Sequence, residues 1–269
     1  MRRTNHARKI SLYEDRIQPE TMKRDVMRNV VLASVLEPLG EKTDCTTRQE
    51  DYQTSSKLEY FITAGCNIGW DFYDLVDRIE KERKQPPCIF DTAYKAQLSS
   101  LRNRRGRRIN FGIIQLLVPV VTSQMILGSR EPEEIADYTT EVMKNTTEQD
   151  VSAMDDLMRL HFSLTDDPNE ASFKPFYGRF DNLYDVLETL IDEGLGPRQV
   201  HEEMIHGNAY SMRFFRGMER NIERSVIETS AEEYSKVYRK EINNQGVAAD
   251  FVAIALYLML TKYEKEKII

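Results

Sequence analysis

An all-α domain of about eight to ten helices is the fold class the sequence predicts. Segments whose apolar residues recur at helical spacing dominate the chain, and glycine and proline number only 12 and 9 in 269 residues. No polar linker divides residues 18–269 and no internal repeat occurs, so one domain is expected behind a basic tail at 1–17.

The first helix is expected to open at Pro19, which suits a first helical position, and to bury Met22, Val26, Val30, Ala33 and Leu36 before Pro38 and Gly40 end it. A polar stretch precedes one long helix from about Ser55 to Lys84, with Gly65 and Gly69 a turn apart, where a ligand, another backbone or a packed helix can come close. Pro86 and Pro87 stop it, and a shorter helix follows over Phe90–Leu101. The apolar run from Ile113 through Leu127 is longer than most strands, which makes it a buried helix that Pro119 can kink. Pro132 opens a helix over 132–144, and Thr147 with Asp150 caps one over 148–162. Residues 163–180 lack a period and read as a loop or ordered lid. Helices then follow over 182–193, 197–225, 231–241 with Ser230 and Glu233 as a capping box, and 247–266.

The formal charge of −7, 41% apolar residues and 30% charged residues describe a soluble acidic chain. Three well-separated cysteines indicate neither a disulfide framework nor a zinc knuckle, so a reducing cytoplasmic setting is expected. There is no apolar signal core, and Phe251–Leu260 is too short to span a bilayer, so no membrane association is expected. His201 and His206 flank two glutamates but stand five apart, whereas zinc ligation from one helical face needs four. No dinucleotide, P-loop or esterase motif occurs.

Chemistry concentrates in Leu101-Arg-Asn-Arg-Arg-Gly-Arg-Arg-Ile-Asn-Phe-Gly112, with five arginines at 102–108. Gly106 lets the chain turn and Asn110 can cap the next helix, so arginines would surround a helix N-terminus, where unpaired N–H groups favour phosphate. Guanidinium forks add bidentate contacts, which makes Arg105, Arg107 and Arg108 phosphate ligands, with Asn110 and the N–H groups near Gly112 completing the cradle. The plainer alternatives are a solvated loop and an RNA contact. Asp44, Glu50, Asp51, Asp150 and Asp250 are candidates to hold Mg²⁺ beside a polyphosphate. Asp250 stands out because it precedes a nearly continuous apolar helix, although a carboxylate there also complements a helix dipole.

Three ordered segments resemble the triphosphoribosyl-dephospho-CoA synthase family and its archaeal-type relatives. Asn244-Gln-Gly-Val-Ala-Ala-Asp-Phe251 is similar to the family's Pro-Gly-Gly/Thr-Ser/Thr-Ala-Asp-Leu, with Gly246, Ala249 and Asp250 matching and Gln245 in place of proline. Arg108-Ile-Asn-Phe-Gly-Ile-Ile-Gln-Leu-Leu-Val-Pro119 resembles Asn-Thr-Asn-Leu-Gly-Ile before Leu-Leu-Ala-Pro; Asn110, Gly112 and Pro119 match, and Arg108-Ile109 replaces Asn-Thr. Glu41-Lys-Thr-Asp-Cys-Thr-Thr-Arg48 aligns with Pro-Lys-Pro-Gly and its following Arg, Asp and Phe through Lys42, Arg48, Asp51 and Phe61, without the prolines and glycine. Thr147-Glu-Gln-Asp150 fits a Thr-x-x-Asp of the archaeal-type members.

The resemblance implies an all-helical, Mg²⁺-dependent transferase that joins the ribosyl-triphosphate of ATP to dephospho-CoA, or a diverged acceptor, with loss of adenine. It implies Asp51 and Asp250 as catalytic, Lys42, Arg48, Asn110, Gly112 and Gly246 as substrate-binding, and Asp150 with Asp250 as the metal's ligands. A non-catalytic helical ligand-binding or assembly protein of the same descent is the alternative. The implied partner is a nucleotide or dephospho-CoA-like small molecule rather than nucleic acid; a homodimer is compatible with the sequence and not required by it.

Overall fold

The computed structural model of the chain describes residues 19–51, 57–103, 109–165 and 173–263. The basic tail and Arg105, Arg107 and Arg108 lie outside the described residues. The protein is all-α: twelve α-helices and one 3₁₀ turn at Glu37–Leu39 form among the described residues, with two isolated β-bridges and no strand. The helices are α1 Pro19–Leu36, α2 Leu58–Asn67, α3 Gly69–Glu82, α4 Asp91–Ser100, α5 Phe111–Leu127 and α6 Pro132–Lys144. They continue as α7 Glu148–Thr165, α8 Leu183–Asp192, α9 Arg198–Ile205, α10 Ala209–Glu219, α11 Val226–Val237 and α12 Gln245–Lys262.

The number exceeds ten because two expected long helices are each divided. The first breaks at Ile68, which ends α2 and begins α3 with φ −82° and ψ −14°. Both flanking helices then lie on α1. A Cβ on Gly65 would come within 3.0 Å of Ser34 and Val35, and one on Gly69 within 2.8 Å of Val31, so these glycines serve helix packing. The second break falls at Gly207 and Asn208, both left-handed, at φ 73° and 53°. There the buried Glu203 accepts the N–H groups of Tyr210 (2.8 Å) and Ser211 (2.7 Å), capping α10. Burial pushes this carboxyl up to about 7.

The box of Ser230 and Glu233 does not start a helix, because α11 already begins at Val226. Ser230 instead donates to the Ile227 carbonyl, and Glu233 packs against Gly217, where a Cβ would lie 2.2 Å from its carboxylate. His201 is buried and pushed down to about 4 by burial, while His206 is exposed at the end of α9, as their spacing requires.

α12 is the axis of the core. Every residue from Phe251 to Leu260 is buried, as expected of a helix apolar on all sides, and α1, α5, α6, α10 and α11 pack around it. By length and apolarity this helix matches a membrane span, but 78% of it is buried by its neighbours. α5 is its main apolar partner in the middle of the chain. Its hydroxyls are satisfied within the helix, Thr122 on Val118 and Ser123 on Pro119, and the buried Tyr257 of α12 pairs with Gln124.

Candidate functional site

The family-like segments meet where the first turn of α5 approaches the second turn of α12. Gly112 is in the first turn of α5, and a Cβ there would lie 1.9 Å from Oδ2 and 2.6 Å from Cγ of Asp250. Only glycine leaves room for this carboxylate, which is half-buried in the second turn of α12, one turn further along than a helix-capping acid would sit. Asn244 caps α12 by accepting the Val247 N–H at 3.2 Å, and Gly246, exposed beside it, has ordinary space for a side chain.

Asn110 precedes α5 in the left-handed conformation, with φ 59° and ψ 21°, and its side chain makes no capping bond. It is 5% exposed, and among the described residues neither Oδ1 nor Nδ2 has a hydrogen-bond partner. Its carbonyl accepts the Ile114 N–H at 2.9 Å, so its backbone starts the helix while its amide remains unused. Next to it, the Phe111 ring lies 4.4 Å from that of the buried His161, the first of a run of aromatic contacts reaching Phe180.

The N-terminal segment is drawn to the same end of α12. Cys45 Sγ lies 3.3 Å from the Tyr234 hydroxyl and 3.9 Å from the Gln245 carbonyl, and that hydroxyl donates to the Thr43 carbonyl at 3.0 Å. Lys42 points inward: its fully buried ammonium is 2.8 Å from Glu37 Oε1 and also donates to the Glu37 carbonyl. No local pattern pairs Glu37 with Lys42; the sequence offers only an acid five residues ahead of a lysine.

Three expected site residues are held elsewhere. Asp150 is fully buried, with Oδ1 accepting the N–H groups of Ile89 (2.7 Å) and Phe90 (2.9 Å) and Oδ2 that of Thr147 (2.9 Å). It ties the start of α7 to the entry of α4. Burial raises its carboxyl above the ordinary value against the pull of those donors. Oxygens so committed to the backbone do not fit the octahedral shell of a resident Mg²⁺. Asp51 is exposed and accepts the Leu58 N–H at 3.0 Å, at the start of α2. Arg48 is exposed beside a cavity of about 330 Å³ whose walls include Glu41, Ile227 and the paired Arg224 and Glu232. Among the described residues no group of three or more His, Cys, Asp or Glu is placed to hold a metal ion.

The thiols differ in environment. Burial pushes Cys45 up to about 11, with Glu37 adding to it, and Cys88 up to about 12, with Asp150 adding to it; Cys66 is exposed. Titration of the native protein with a chromogenic disulfide at pH 8 is expected to show one fast thiol and two slow ones, and Cys66→Ser to remove the fast phase. Fast reaction in that variant would contradict the burial.

Comparison with protein-family models, curated proteins and solved structures finds no match for this chain.

Proposed function

We propose that the chain is a nucleotide-using transferase of the kind its motifs resemble, moving the ribosyl-triphosphate of ATP to dephospho-CoA or a diverged acceptor. The observation that supports it most is the contact of Asp250 with Gly112, because two family-like segments from distant parts of the chain meet there at a helix N-terminus. The five arginines at 102–108 directly precede that helix in sequence, and a triphosphate needs such cationic donors beside the positive end of a helix.

In the proposed reaction an acceptor hydroxyl oxygen bonds to C1′ of the ATP ribose as the C1′–N9 bond breaks. The bonding pair leaves on adenine, which takes up the hydroxyl proton. Asp250, half-buried beside the phosphate-binding turn, would face the positive charge that develops at C1′. Mg²⁺ enters with the triphosphate, in keeping with its usual binding through substrate phosphates and few protein ligands.

Calorimetry with ATP and Mg²⁺, and chromatography of released adenine once dephospho-CoA is added, test this reading. ATP should bind, adenine should appear, and Arg107→Ala with Arg108→Ala should weaken binding by about tenfold or more. Unchanged affinity in that variant removes the arginine cradle.

One observation favours the second reading, a non-catalytic ligand-binding or assembly protein. Lys42 and Asp150 are engaged by Glu37 and by backbone N–H groups, so two aligned positions serve the fold. Tight ATP binding without adenine release would decide for it.

A further inference from the structure

A buried amide with both polar atoms unpaired is costly, and native structures rarely keep one without a purpose. Asn110 is such a residue, 5% exposed, with Oδ1 and Nδ2 both unpartnered among the described residues. Its backbone is left-handed, a conformation that glycine adopts without strain. The fold would therefore be served better by glycine, since the start of α5 uses only the Asn110 backbone carbonyl. The capping role that ordinarily keeps asparagine before a helix is also missing, because the side chain makes no capping bond.

We infer that the Asn110 carboxamide is a ligand-reading group, and that it pairs with a nucleobase edge bearing an adjacent donor and acceptor, the adenine of ATP. An amide matches this edge in two bonds, Nδ2–H donating to a ring nitrogen and Oδ1 accepting from the exocyclic amino group. Asn110 thus binds the base and leaves the phosphates to the cradle proposed above. This assignment rests on the nucleotide reading above and adds to it the part of the substrate that Asn110 meets.

The test uses the full chain, with Asn110→Gly as the first variant and Asn110→Ala as the second. The probes are ATP and inorganic tripolyphosphate in calorimetry, with urea unfolding alongside. Asn110→Gly is expected to lose about tenfold or more in ATP affinity, to bind tripolyphosphate as the wild type does, and to unfold at a higher urea concentration. Asn110→Ala should show the same loss for ATP, whatever the left-handed strain does to its stability. Equal ATP affinity in wild type and Asn110→Gly, or a lower urea midpoint in that variant, overturns the inference while leaving nucleotide use intact. A wild type that binds tripolyphosphate but gains nothing from the adenosine part also overturns it. If the wild type takes up neither probe, the nucleotide reading falls and the inference with it.

Discussion

Gly112→Ala is expected to push the Asp250 carboxylate out of its place and to lower stability by about 1–3 kcal/mol, since the new methyl would overlap a packed group. The methyl would stand 1.9 Å from Oδ2 and 2.6 Å from Cγ, so rotation of one oxygen alone does not relieve it. Under the proposed reaction, adenine release should fall further than the loss of stability explains, because Asp250 is displaced from the first turn of α5. A double-mutant cycle separates the two effects. In an Asp250→Ala background the clash is gone, and Gly112→Ala should be neutral or stabilising by up to about 1 kcal/mol through helix propensity. Urea unfolding of the four proteins measures this, and an equal penalty in both backgrounds would show that the contact with Asp250 is not its source.

Asp150→Ala is expected to cost more, about 3–5 kcal/mol, because two buried N–H donors and a part-buried third lose their acceptor together. Asp150→Asn keeps one oxygen. If that oxygen faces Ile89 and Phe90, only the Thr147 N–H opposes the new amide, and the cost should fall to about 1–2 kcal/mol. A fold role predicts this graded order, Asp above Asn above Ala, in unfolding experiments without added metal. Equal stability of Asp150→Ala and wild type would return Asp150 to the list of candidate substrate or metal ligands.

Much of the helical framework can be read from the chain alone, and the misreadings have physical causes. Pro19 and Pro132 open α1 and α6 at the expected residues, and Thr147 with Asp150 caps α7 as its spacing implies. Gly207-Asn208 breaks a run that otherwise keeps helical period, and a lone glycine inside a helical pattern is tolerated often enough to pass unnoticed. Ile68 carries no breaker chemistry at all; the division of α2 from α3 is imposed by packing on α1.

At the site, Asn110, Gly112 and Asp250 are each identifiable in sequence, but that Asp250 lies on Gly112 is a tertiary fact. Lysines are rarely buried, so nothing in the pattern around Lys42 announces that it turns inward to Glu37. Asp150 illustrates the same limit, because its bond to Thr147 is local while those to Ile89 and Phe90 come from another element.

The central position of α12 bears on biosynthesis. A ribosome delivers α1 to α11 before Gln245–Lys262 exists, so those helices face a missing axis while the chain grows. At ordinary synthesis speeds the wait for that segment lasts about one to four seconds, during which an open apolar trench is prone to aggregation. The same order joins folding to the site: Asp250 arrives on the helix that closes the core, so the carboxylate reaches Gly112 only as the domain completes itself.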